Sequence, residues 1–207
     1  MNRPTEQPTR REREANRHRG EILAVAEDLF GEKGYFATTM EEVARRAEFA
    51  VGSLYKFFKS KEELYMAVLL QNADALEPRV RAALATGESS RARIANYVQS
   101  RIDIFWEKPC FYRILFVEVM GGMLGASPGI SPELRARYQA FLFTVAEEFE
   151  RGIHAGEFRP VGPVLLTHLL EGHVRGYLTF LSRDLSASRN PEDEAAVINV
   201  FLKGVLS

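Results

Sequence analysis

A short run of small and polar residues, Val51-Gly52-Ser53, is followed by apolar Leu54 and then by Tyr55 and Lys56. On a helix this order gives a contact surface at the front and an anchor behind it. Such a front suits the edge of a base pair. Gly52 admits close backbone approach, Ser53 can donate to a base or a phosphate, and Val51 can lie against a thymine methyl. Tyr55 and Lys56 stand beside that front with reach for the phosphate backbone. Thr39 falls at a helix start, where free N–H groups favour an anion. Lys61 falls at another, where the helix dipole disfavours a cation, and a phosphate there would resolve the mismatch. The chemistry implied is recognition of a duplex, with no bond made or broken.

Catalysis has no comparable candidates. No acid, base and nucleophile cluster together, so no catalytic residue is assigned and the chain is read as not an enzyme. His18, His154, His168 and the single cysteine, Cys110, do not fall at metal-ligand spacings. Neither a metal nor a cofactor is expected.

The elements that must position the reading residues are short and closely punctuated. A first helix is predicted over about 12 to 32, with Ile22, Ala26, Leu29 and Phe30 as its apolar stripe and Gly34 as its left-handed stop. Thr39 caps a second helix with Glu42 as reciprocal partner. Met40, Val43, Ala44 and Ala47 face inward. Glu48 and Phe49 form a turn, and a third helix spans about 50 to 57 with Leu54 and Phe58 as anchors. Ser60 and Glu63 make a second capping box. Helices are then predicted over 61 to 84, 90 to 107, 109 to 120, 131 to 156, 163 to 183 and 191 to the end. Gly121, Gly122, Gly125, Pro128 and Gly129 are read as a loop. No segment alternates like a strand. The fold class is all-α, with about nine helices: a disordered tail over 1–9, a helix-turn-helix domain over 10–60 and a helical domain over 61–207.

Composition bounds this reading. The first 61 residues hold 12 basic and 10 acidic side chains, the remainder 15 and 18, so charge leans only slightly toward nucleic acid at the front. Arg10, Arg11, Arg13, Arg17 and Arg19 gather before the first apolar stripe. They fit a solvated helix start or a phosphate-tracking arm. The opening is polar and no apolar run reaches the ~18 residues that cross a membrane. A cytoplasmic protein without a membrane partner is expected.

Phe30, Gly34, Tyr35, Thr38, Thr39, Val43, Ala44, Ala47, Gly52, Leu54, Tyr55, Phe58, Ser60, Lys61 and Leu64 fall in one register. That register resembles the pattern F-x-x-x-G-Y-x-x-T-T, then I-A-x-x-A-G-V-S-x-G-x-L-Y-x-x-F-x-S-K-x-x-L, of TetR-family transcriptional regulators. The resemblance implies a DNA-binding domain in which Thr39, Tyr55 and Lys61 touch phosphates while Val51, Gly52, Ser53 and Lys56 lie at the DNA face. The chain departs from the pattern at Glu48, where the family has a turn glycine, at Phe49, and at Ala50, where it has a capping serine. Left-handed strain at Glu48 and a missing cap at Ala50 are expected, each costing ~1 kcal/mol. A helical domain that has lost DNA binding is the competing reading.

Residues 70 to 207 resemble the family's effector and dimerisation domain in helix order and in Gly156-Glu157-Phe158-Arg159-Pro160. The resemblance implies an apolar cavity enclosed by the middle helices and pairing through the last two. Candidates for the cavity are Met66, Phe105, Trp106, Phe116, Met120, Tyr138, Phe141, His173 and Tyr177. Candidates for pairing are Gly172, Gly176, Val197, Val200 and Phe201. The partners expected are a double-stranded DNA operator, a small-molecule effector and a second copy of the chain. The expected role is a repressor released from a palindromic operator when an apolar or aromatic molecule changes the spacing of two reading heads. The alternatives are a ligand-dependent activator, a co-repressed regulator, or a helical enzyme using the cavity.

Overall fold

The computed structural model describes residues 9–114, 131–184 and 188–206. Among them lie nine helices: α1 Arg10–Lys33, α2 Met40–Arg46, α3 Val51–Phe57, α4 Lys61–Ala85, α5 Ser90–Glu107, α6 Pro109–Arg113, α7 Pro132–His154, α8 Pro163–Leu181 and α9 Pro191–Val205. No strand occurs among the described residues beyond one isolated antiparallel bridge, Phe158 to Leu206. The glycine-rich loop and the far end of the predicted sixth helix lie outside the described residues, as do Phe116 and Met120.

Local chemistry explains most helix ends. Ser89, Ser131 and Asn190 each accept from a backbone N–H of the helix they open, and proline occupies the first helical position of α6, α7, α8 and α9. The first helix starts earlier than expected. Thr9 accepts from Glu12 N–H, while the Glu12 carboxylate takes the Thr9 N–H at 2.7 Å, a complete capping box that fixes the start at Arg10. The two boxes predicted further on close differently. Thr39 caps the Glu42 N–H, but the Glu42 carboxylate pairs with Lys33 instead of reaching back. Ser60 caps Glu63, whose carboxylate takes the Lys59 N–H at 2.8 Å.

The chain divides into two compact units, residues up to Val68 and residues from Leu69, with the division inside α4. In the first unit α1 packs on α2 and α2 on α3. Its core is Ile22, Ala26, Leu29, Phe30, Val43, Ala44, Leu54, Phe58, Leu64 and Tyr65, each at most 1% exposed.

In the second unit α5 packs against α6, α7, α8 and α9, and α8 lies between α7 and α9. The Gly156–Pro160 segment is pinned there. A Cβ on Gly152 would sit 2.3 Å from the Phe158 ring, so that ring lies directly on the α7 backbone. Glu157 accepts from the Ser90 and Arg91 N–H groups at 3.2 and 2.9 Å and so caps α5 as well. No described helix is long and apolar enough to cross a membrane.

Candidate nucleic-acid interface

The turn between α2 and α3 sets how the third helix is presented. The Phe49 N–H reaches back to the Ala44 carbonyl at 2.8 Å and the Glu48 N–H to the Arg45 carbonyl at 3.2 Å. This paired closure places a left-handed residue between the last helical turn and the exit, a position that favours glycine. Glu48 occupies it with φ 60°, the one positive φ outside glycine among the described residues. Ala50 begins α3 with no side-chain cap. Both departures therefore carry the strain and the missing bond that the sequence implied. Phe49 is held by ring contacts to His18 at 5.3 Å and Phe57 at 6.4 Å, which brace the turn from either side.

Helix α3 divides its side chains sharply. Leu54 and the following Phe58 are fully buried, whereas Val51 is 37% and Tyr55 44% exposed. Gly52 and Lys56 are also exposed, Ser53 is half-buried, and a Cβ added to Gly52 would meet nothing within 4 Å. Val51, Gly52, Ser53, Tyr55 and Lys56 are thus brought together on one seven-residue helix anchored by a single buried leucine. Thr39 is exposed at the start of α2, its hydroxyl committed to the Glu42 N–H.

Lys61 behaves differently from its expectation. Its ammonium donates to the carbonyls of Tyr35 at 2.8 Å, Thr38 at 2.9 Å and Phe36 at 3.4 Å, and lies 4.4 Å from the Tyr35 ring centroid. An ammonium has three donors, and three carbonyls of the α1–α2 turn take them. The unfavourable position at a helix start is resolved inside the protein, so no phosphate is needed to explain it. Around the same turn, buried Thr38 donates to the Leu29 and Gly34 carbonyls. Tyr35 donates to Glu62 at 2.7 Å. Burial, with the Glu62 hydrogen bond added, pushes the Tyr35 hydroxyl well above its ordinary pKa. Arg46 binds Glu32 through both guanidinium nitrogens at 2.8 and 3.0 Å, joining α2 to α1. Apart from the local Thr38–Gly34 bond, these ties are not legible in the sequence, because each joins a side chain to distant backbone or to another helix.

The described effector candidates of the second unit each have partners within the chain. Met66 belongs to the first unit, the others to the second. Phe105 is buried against Trp106 and Tyr112. Trp106 donates from its indole N–H to Glu194 of α9 at 2.9 Å, and a His173 ring nitrogen bonds the Val197 carbonyl at 2.8 Å, so both act as ties to α9. Phe141 packs on Tyr97 and beneath Arg81. Tyr177 is half-buried, and burial raises its pKa. Tyr138 donates to Glu171 at 2.8 Å within a buried cluster that the sequence did not reveal. There Arg101 reaches both Glu171 oxygens at 3.1 and 3.2 Å and the Tyr97 hydroxyl at 2.7 Å, while Tyr97 donates to Glu171. Burial pushes the Glu171 carboxyl up, but Arg101 and the two tyrosine hydroxyls outweigh it and hold the group below the usual carboxylate range.

The pairing candidates separate as well. Gly172, Gly176 and Val200 are exposed. Val197 is half-buried, and Phe201 turns toward the chain's own interior, with ring centroids 6.2 Å from Phe149 and 5.8 Å from His173.

Comparison with known proteins agrees with this geometry. Residues 22–68 match the family model for bacterial regulatory proteins, tetR family. The chain is 39% identical over 98 residues to the HTH-type transcriptional activator FasR of Mycolicibacterium smegmatis, covering 47% of this chain and 45% of FasR. That match therefore spans less than half of FasR's length. A longer match, 25% identical over 171 residues, covers 83% of this chain and 78% of the HTH-type transcriptional regulator RutR of Escherichia coli K12. Among solved structures, the ketosteroid transcriptional regulator KstR2 of Mycobacterium tuberculosis superposes with a TM-score of 0.74 at 22% identity, covering 99% of this chain and all of that one. The fold is shared along its length.

Proposed function

We propose that this chain is a DNA-binding transcriptional regulator of the TetR family, a reading supported by the match over residues 22–68 and the likeness to RutR, and that it acts as a homodimer on a palindromic operator. The observation that carries the reading is the division of α3, with its anchor fully buried and Val51, Gly52, Ser53, Tyr55 and Lys56 turned outward. A helix of this kind offers its leading residues to base edges and its flanks to phosphates. Thr39 joins them from α2, and Lys61 holds the turn that carries it.

Dimerisation is supported by the outer faces of α8 and α9. Leu165, Leu169 and Phe180 are each more than half exposed and share a helical stripe with Gly172 and Gly176. Val200 is 66% exposed on α9, in line with Ala196 and Gly204. Contiguous exposed apolar surface marks a protein interface, and a two-fold operator needs two readers. The effector is read as an apolar or aromatic small molecule, consistent with the aromatic side chains of α5 to α7 and the Tyr138 hydroxyl among them. It must favour one of two states of the protein to change operator occupancy. The resting role proposed is repression.

The second reading is activation. It is favoured by the 39% identity over 98 residues to FasR, a transcriptional activator. A duplex from the region upstream of the protein's own gene tests both. Retardation of that duplex, with a scrambled duplex of equal length left free, is the expected result. Equal affinity for both duplexes would remove operator reading. Transcription in vitro from the same region then falls with added protein for a repressor and rises for an activator.

A further inference from the structure

Helix α1 is longer than its packing requires. From Arg10 to Arg17 every residue except Ala15 is exposed, and α1's buried stripe begins only at Ile22. Ring contact with the helix-turn-helix begins at His18, which meets Phe49 of the turn before α3 edge to face. Arg19 follows, donating to the Phe57 carbonyl and lying over the Phe58 ring. The eight residues before His18 therefore project beyond the body by about 12 Å, at 1.5 Å per residue. They leave it at the edge that bears the turn and the α2–α3 exit.

That projection carries four arginines, Arg10, Arg11, Arg13 and Arg17, against two glutamates. Glu12 is consumed by the capping box with Thr9, whose hydrogen bonds hold its carboxyl below the ordinary range. Glu14 meets Arg10 at 3.1 Å, and Glu21, beyond the arm, meets Arg17 at 3.7 Å, in solvent-exposed pairs. Arg17 also lies 3.2 Å from the His18 ring nitrogen. Arg11 makes no ion pair among the described residues. Beyond the Thr9–Glu12 capping box, the order of charges does little for the helix itself. Cations in the first turn oppose the dipole, and arginine placed before glutamate is the less favourable order of an i, i+4 pair. Arg10, Arg13 and Arg17 fall on one face, spaced i, i+3, i+7.

We infer that Arg10, Arg11, Arg13 and Arg17 form a preformed basic arm that binds phosphates of duplex DNA beside the base pairs read by α3. This rests on the DNA-binding reading above and adds a second, sequence-independent contact to it. The loose pairs with Glu14 and Glu21 can exchange a carboxylate for a phosphate without unfolding anything. A duplex is the occupant that charge complementarity selects. The contact lies outside the register matched by the family pattern, which begins at Phe30.

The test uses the full chain, the R11A/R13A/R17A variant and the charge-preserving R11K/R13K/R17K variant. Each is titrated by fluorescence anisotropy at several salt concentrations. The probes are a duplex of about 40 base pairs, roughly four helical turns, from the upstream region and a scrambled duplex of equal length. For each phosphate that is no longer neutralised, the slope of log affinity against log salt falls by about 0.9. The alanine variant is expected to lose about two to three such steps per protomer on both duplexes, with an unchanged melting temperature. The lysine variant keeps the slope. A parental slope in the alanine variant would overturn the arm while leaving operator binding intact. A slope reduced only on the upstream duplex would also overturn it, since it would mean base reading. If the parent itself binds neither duplex, the DNA-binding reading fails first.

Discussion

Gly52 on α3 and Gly176 on α8 can be set side by side. Each lies on the outside of a helix, and a Cβ built on either meets nothing within 4 Å. A glycine inside a helix costs ~1 kcal/mol against alanine, and neither protomer unit needs the space. The surroundings differ. Gly52 sits among Val51, Ser53, Tyr55 and Lys56, whereas Gly176 lies in a stripe with Leu165, Leu169 and Phe180. The polar setting fits a close approach to DNA, the apolar setting a close approach to another helix. The half-buried Lys61 is held by three carbonyls and the buried Glu171 by Arg101 and two tyrosines. What each unit leaves uncovered on its surface is then informative about its partner.

The largest effect should come from the buried cluster. Glu171→Ala strands the Arg101 guanidinium without its counter-charge and should cost about 3–5 kcal/mol by chemical denaturation. A loss under about 1 kcal/mol would mean the cluster is solvated, and the contrast of interior with surface would fail. The pH dependence has a definite sign. Because the folded Glu171 pKa is depressed, its contribution is complete above the unfolded value of about 4.3 and is lost as pH falls through the folded value. Glu171→Gln should flatten that acid limb.

Gly176→Leu sharpens the comparison on the apolar side. The protomer has room for the new side chain, so its helicity should persist, while overpacking at the interface should weaken association by about 1–3 kcal/mol. Sedimentation over a concentration series reads this directly. An unchanged dimer would place pairing elsewhere.

Lys61→Ala separates a structural tie from a phosphate clamp. Three charge-assisted bonds at a half-buried site should be worth about 1–2 kcal/mol together. The variant should melt earlier yet keep the parental salt slope. Full stability with a reduced slope would restore the clamp.

The turn before α3 gives the smallest effects. Glu48→Gly relieves a left-handed glutamate, and Ala50→Ser supplies a missing cap, each adding about 0.5–1 kcal/mol. Hydrogen exchange in residues 51–57 should slow in the double variant and operator affinity should rise. Weaker operator binding with random-duplex binding held would instead make Glu48 a base reader.

These regions also differ in how far the sequence disclosed them. Caps act within four residues, so Thr39 and Ser60 are directly legible, as is the strained Glu48. Lys61 finds its carbonyls more than twenty residues earlier, and Arg101 finds Glu171 seventy residues later. Such partners depend on helix packing, to which local pattern is blind. Trp106 and His173 stand among the cavity candidates for the same reason. An aromatic on a helix face looks alike whether it meets a ligand or, as here, a neighbouring helix.

The central claim is that the outer face of α3 reads DNA, and Gly52→Leu tests it most directly. Leucine has open space in the free protein and a higher helix propensity than glycine, so the variant should melt no earlier than the parent. On the upstream duplex at one fixed salt concentration it should bind roughly ten- to a hundredfold more weakly, because the side chain now stands where the groove must close. Parental affinity in a stable Gly52→Leu protein would contradict the account.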